Sequence, residues 1–188
     1  MHQMLLHHTS DVQRDNASMS YPAERYDFHD KPADYARLRE ELAALLAGEN
    51  DLIANAANTC ALIFAALPDV NWAGFYFLKA GELVVGPFQG KPACVRIALG
   101  HGVCGTSAAR RQTLLVPDVH AFPGHIACDT ASRSEIAVPL IVDGALLGVL
   151  DIDSPRPGRF DEADAKGLES LTALFVAAAG QAAQASRP

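Results

Sequence analysis

The stretch SEIAVPLIVDGALLGVLDIDS, residues 134–154, constrains the fold more than any other part of the chain. Two runs of alternating character flank an Asp143-Gly144 pair, the pattern of antiparallel strands joined by a tight turn. Side chains two apart on a strand share a face, so Asp151 and Asp153 lie together while Leu150 and Ile152 lie opposite. What Glu135 joins depends on the turn, because a slip of one residue exchanges the faces. A two-residue turn pairs Val142 with Ala145 and sets Glu135 opposite Ile152. A three-residue turn, with Gly144 left-handed in a bulge, pairs Ile141 with Ala145 and sets Glu135 opposite Asp151. The second form keeps Ile136, Val138, Leu140, Leu146, Leu150 and Ile152 on one apolar face, and it is the form predicted.

An earlier segment, NWAGFYFLKAGELVVGPFQG, alternates in the same way and turns near Ala80-Gly81. Trp72, Gly74 and Tyr76 share one face of it; Ala73, Phe75 and Phe77 form the other, apolar enough for a core. Short strands in ACVRIAL and TLLVP, with a short helix GTSAARRQ between them, fill the middle of the chain. Helical spacing brackets this β region. One helix opens at Pro32, runs through Tyr35, Leu38, Leu42, Leu45 and Leu46, and closes at Gly48; a second spans about residues 51–67. A third is capped near Asp161 and turns Leu168, Leu171 and Phe175 inward. Helices outside a contiguous antiparallel run give an α+β domain, a central antiparallel sheet flanked by N- and C-terminal helices. At 188 residues the chain suits one domain with a full core. Residues 1–30 are read as a flexible tail with no assigned function, and residues 31–185 as the single domain.

Charge and hydropathy narrow the function classes. The net charge is −7, and apart from Arg110 and Arg111 the basic residues are scattered, which argues against nucleic-acid binding. No apolar run approaches the ~20 residues that span a bilayer, and the first residues lack a signal-peptide core, so no membrane association is expected and a cytoplasmic protein is. In that reducing compartment four cysteines point to chemistry or to incidental burial rather than to permanent crosslinks. Cys60 falls in the apolar helical run NTCALIFAAL and reads as a core thiol. Cys94, Cys104 and Cys128 fall among short strands and loops without a C-x-x-C, so a metal site is not expected, although His125 and Cys128 form an H-x-x-C. Cys128 is the unusual one, in the polar loop GHIACDTASRSE, where a structural cysteine is out of place. Three carboxylates gathered at one strand end repel one another unless they hold a cation or keep a proton. Trp72 and Tyr76, aromatics with polar tips on the face away from the core, could wall a small pocket.

Taken together, NWAGFYFL, GPFQGKPACVRIALGHGVCGTSAARRQTLLVPDV, HIACDTASRSEIAVPLIVDGALLGVLDIDSP and the F-D-x-x-D start of the last helix resemble a GAF domain. More narrowly they resemble the free methionine-(R)-sulfoxide reductases, through three cysteines in this context combined with Glu135, Asp151 and Asp153. The resemblance implies a GAF fold and a thiol-dependent reduction of free methionine (R)-sulfoxide without a cofactor. It assigns Cys128 as the attacking thiol, Cys94 as the resolving thiol and Cys104 as a second resolver or auxiliary thiol. Cys104 stays a rival for the first role, because it begins a turn where a helix N-terminus would lower its pKa. The resemblance also implies that Glu135, Asp151 and Asp153 hold the ammonium group and the sulfoxide oxygen, with one of them as acid, and that Trp72 and Tyr76 wall the methyl pocket. A thioredoxin-type reductant and a homodimer follow from it in the same way. The alternative is a GAF module that binds a small ligand without chemistry.

Overall fold

The computed structural model describes residues 26–125 and 129–185. Two helices come first, α1 (Lys31–Leu46) and α2 (Leu52–Ala66). Each starts where an aspartate can accept from free backbone N–H groups: Asp30 from Ala33, and Asp51 from Ile53 and Ala54. The strands β1 (Trp72–Lys79), β2 (Glu82–Gly90) and β3 (Arg96–Ala98) follow, then α3 (Gly102–Arg110), β4 (Leu114–Val116), a 3-10 turn at Val119–Ala121, β5 (Ser134–Val142) and β6 (Ala145–Ser154). The closing helix α4 (Glu162–Ala185) is capped by Asp161, which accepts from Ala163 and Asp164. The six strands form one antiparallel sheet in the order β3-β2-β1-β6-β5-β4. This is the α+β architecture that the alternation of periods implied.

Strand parity gives the sheet two packed faces. The larger core gathers Ala73, Phe75 and Phe77 of β1, Ile136, Val138 and Leu140 of β5, and Leu150 and Ile152 of β6 against α1, α2 and α4. Leu168, Leu171 and Phe175 are fully buried there, with Phe175 stacked on Phe75 at 4.5 Å. Tyr26 and Phe28, inside the stretch read as a tail, are buried against the same core, and Phe28 meets the edge of Tyr35. The folded unit therefore begins upstream of residue 31. A smaller cluster occupies the opposite face: Trp72, Tyr76, Ala137 and Val149, covered by Val103, Cys104 and Ala108 of α3. Trp72 and Tyr76 are thus interior to a second core, 4% and 2% exposed, rather than surface aromatics.

The hairpin turn differs from the prediction. Val142 pairs with Ala145, so the turn has two residues, Asp143 and Gly144, both with positive φ. Leu140 pairs with Gly148 but Ile141 pairs with Leu146, which leaves Leu147 as an extra residue on β6. That bulge shifts the ladder by one and restores the parity that the short turn alone would have lost. Glu135 consequently lies opposite Asp153, with Ala137 opposite Asp151. The bulge also exchanges two leucines: Leu147 packs on the larger core and Leu146 on the smaller one.

Candidate active site

Register assembles the site before any loop contributes. Trp72 on β1 pairs with Asp153 on β6, and Asp153 pairs with Glu135 on β5. Two rungs further along, Gly74 pairs with Asp151. All these side chains project from the smaller-core face. Gly74 is required by the aromatic wall, because a Cβ there would lie 2.4 Å from both the Trp72 ring and Phe88. The ring stacks between Phe88, at 5.3 Å, and Tyr76, at 5.8 Å, and its indole N–H donates to the Lys91 carbonyl. Helix α3 closes the site from above. Gly105 lets it approach β3, since a Cβ would meet the Ala98 carbonyl oxygen at 2.3 Å, and the Ser107 hydroxyl donates to the Ala137 carbonyl on β5. This seating places Cys104 Sγ 3.7 Å from Glu135 Oε1, and the thiol and carboxylate atoms of Cys104, Glu135 and Asp151 all fall within 4.8 Å of one another.

Trp72, Tyr76, Cys104, Glu135, Asp151 and Asp153 line one recess, a concave mix of aromatic wall and a few convergent polar groups of the kind that holds small ligands. Burial governs its electrostatics. Desolvation, then the charge of Asp151, holds the carboxyls of Glu135 and Asp153 well above the ordinary range. Asp151 is raised less, to about 6, by burial, against which hydrogen bonds with Glu135 and Cys104 act. The patch therefore keeps a proton at neutral pH. Asp151 Oδ1 is buried with no hydrogen-bond partner among the described residues. Such a set can present both a negative oxygen and an acidic proton to a bound molecule.

The cysteines separate clearly. Cys60 is fully buried on the opposite face, donates to the Pro87 carbonyl, and has its thiol pushed up to about 12 by burial. Cys104 sits in the first turn of α3, yet its pKa is raised well above the ordinary value by desolvation and by the charges of Asp151 and Glu135. The expected lowering by the helix N-terminus is overridden. Cys94 is disulfide-bonded and packs against the smaller core. Cys128 lies outside the described residues.

Sequence reasoning missed a second group on the rim. Asp129 accepts from Asn71 at 3.3 Å, from Lys91 at 3.3 Å and from the Ala131 backbone at 2.9 Å. Asn71 also donates to Ser132, and Lys91, Asp129 and Ser132 line the recess. The only advance signal was position: Lys91 stands three residues before Cys94, and Asp129 directly follows Cys128.

A GAF domain family profile matches residues 36–185. The free methionine-R-sulfoxide reductase of Escherichia coli (strain K12) is 56% identical over 139 residues, which cover 74% of this chain and 84% of that protein. The enzyme of the same name from Saccharomyces cerevisiae is 48% identical over 136 residues, 68% of this chain and 76% of that protein. Among solved structures, the free methionine-R-sulfoxide reductase from Neisseria meningitidis in complex with its substrate superposes with a TM-score of 0.79 at 44% identity, covering 83% of this chain and 94% of that one. The chain belongs to the GAF domain family, in the branch that holds the free methionine-R-sulfoxide reductases.

Proposed function

We propose that this protein reduces free methionine (R)-sulfoxide to methionine by thiol chemistry in the recess between α3 and the sheet. The observation that carries the reading is the convergence of the buried Glu135 and Asp151 and the half-buried Asp153 with two aromatic rings in a single recess, where Asp151 Oδ1 has no hydrogen-bond partner among the described residues. An ammonium group fits that patch, and it exists on the free amino acid but not on a residue within a peptide. Trp72 and Tyr76 wall the methyl end of the substrate.

In the first step the Cys128 thiolate attacks the sulfoxide sulfur and a carboxyl of the patch protonates the departing oxygen. The oxygen leaves as water, and a second water then attacks the Cys128 sulfur of the sulfonium so formed, breaking the sulfur–sulfur bond, releasing the thioether and a proton, and leaving the cysteine oxidised to the sulfenic acid. The Cys94 thiol then condenses with that sulfenic acid, forming a disulfide and releasing water. An external dithiol of the thioredoxin type reopens the disulfide by exchange. Two facts support the division of labour: Cys94 is disulfide-bonded, and among its three possible partners Cys60 and Cys104 are free. Burial makes Cys104 a poor nucleophile and suits it to a supporting role beside Glu135.

The test is to expose the fully reduced protein to each epimer of free methionine sulfoxide and to a blocked peptide form, and to count the thiols lost. Two thiols should disappear with the free R epimer alone. Retention of all four with every compound would reject the reading and leave a ligand-binding module.

A further inference from the structure

We infer that Cys104, Glu135 and Asp151 form a binding site for one thiophilic divalent cation of the Zn²⁺ type, and that this ion and the amino-acid substrate exclude one another from the recess. The three donors come from three elements, α3, β5 and β6, so the fold itself brings them together. Their spacing suits a tetrahedral ion. Bond lengths of about 2.3 Å to sulfur and about 2.1 Å to oxygen put ligand sulfur and oxygen about 3.6 Å apart, and Cys104 Sγ lies 3.7 Å from Glu135 Oε1. The remaining contacts need to contract only from within 4.8 Å. Independently of the cluster's composition, Asp151 Oδ1 is fully buried, lies in a residue lining the recess and has no hydrogen-bond partner among the described residues, so a ligand atom is owed there.

One thiolate and two carboxylates favour zinc over magnesium or calcium, which take all-oxygen shells. Three protein ligands leave the fourth position open toward the recess, where water would complete the shell. An ion in that place would take up the carboxylate oxygens offered to an ammonium group and displace the proton that the patch retains. The exclusion rests on the substrate reading above; the binding does not.

The experiment uses the oxidised protein, in which Cys94 is held in its disulfide and Cys60 is sealed on the other face of the sheet. Cobalt(II) serves as the spectroscopic probe and a zinc-chelating dye reports competition. One equivalent of cobalt should bind with a thiolate-to-metal band in the near ultraviolet, zinc should displace it, and excess magnesium should not. Affinity should fall about 100-fold or more in Cys104→Ser and in Asp151→Asn and stay unchanged in Cys60→Ser. Absence of the near-ultraviolet band in the unmutated protein would overturn the site whether or not the variants fold. Free methionine (R)-sulfoxide should release the ion; an ion that stays bound while the sulfoxide binds beside it would overturn the exclusion. Cobalt binding in a protein that consumes no thiols with any sulfoxide would sink the reductase reading and leave the cation site standing.

Discussion

Asp151 decides how the site titrates. Its carboxyl is ordinary in the unfolded chain and raised to about 6 in the folded one, so the folded state binds the proton more tightly. Below about pH 4 both states are protonated and burial has no electrostatic cost; as pH rises through 6 the folded state must either ionise a buried group or hold its proton. Asp151→Asn should therefore add roughly 2–3 kcal/mol of stability above pH 6 and nothing near pH 4, which denaturant melts at the two pH values will measure. The same substitution should lower kcat/KM for the free sulfoxide at least 100-fold by steady-state assay, the size expected when a proton donor or its charged partner is lost. Thiol labelling probes the cysteines. With the disulfide closed, a thiol reagent at pH 7 should modify fewer than one group per chain in native protein and two in denaturant. A reactive third thiol would contradict the proposed role of Cys128 as the partner of Cys94. Much of this was legible beforehand: that Asp151 shares a face with Asp153, and Trp72 with Tyr76, follows from counting by twos, while the β1–β6 pairing that brings the two sets together does not. The state of Cys104 was not. Its place in a helix turn argued for a lowered pKa, and only the packing of α3 onto β5 shows that burial and neighbouring charge prevail.

The β5–β6 hairpin shows how an element can reach its predicted faces by another route. Alternation correctly required Glu135 and the aspartates to agree, and the three-residue turn was one way to meet that requirement. The chain uses a two-residue turn together with the bulge at Leu147. Both solutions satisfy the same apolar pattern, which is why the pattern could not choose; what distinguishes them is the backbone at Gly148. A Cβ there would lie 2.1 Å from the Tyr76 carbonyl oxygen, so the residue after the bulge must be glycine for β6 to close on β1. Gly148→Ala should destabilise the fold by about 2–4 kcal/mol, in the range of overpacked core positions, as read by chemical denaturation. Gly144 meets nothing within 4 Å, and its φ of +77° alone sets its cost. Gly144→Ala should lose about 1 kcal/mol.

Across the whole molecule, α1 and α4 are clamped by a buried charge. Asp164, fully buried, pairs with Lys31 at 2.6 Å and Arg159 at 3.3 Å and accepts from the Tyr35 hydroxyl at 2.9 Å. Removing the aspartate leaves the buried Arg159 guanidinium without its carboxylate, while Lys31 keeps Asp161 at 2.8 Å, so Asp164→Ala should cost about 3–5 kcal/mol in equilibrium unfolding, with the site geometry on the other face of the sheet retained. The helices, strand order and larger core could be anticipated from periodicity; the second core could not, since its residues come from α3 and from strand faces that look merely polar-aromatic in sequence. The sheet therefore acts as a partition. Cohesion of the globule resides on one side of a single layer of backbone and reactivity on the other, joined by alternating side chains of shared strands. Variation that retunes ligand preference at the recess-facing positions of β5 and β6 can accumulate without disturbing the core-facing residues between them, so new specificities should be reachable here from one side of the wall alone.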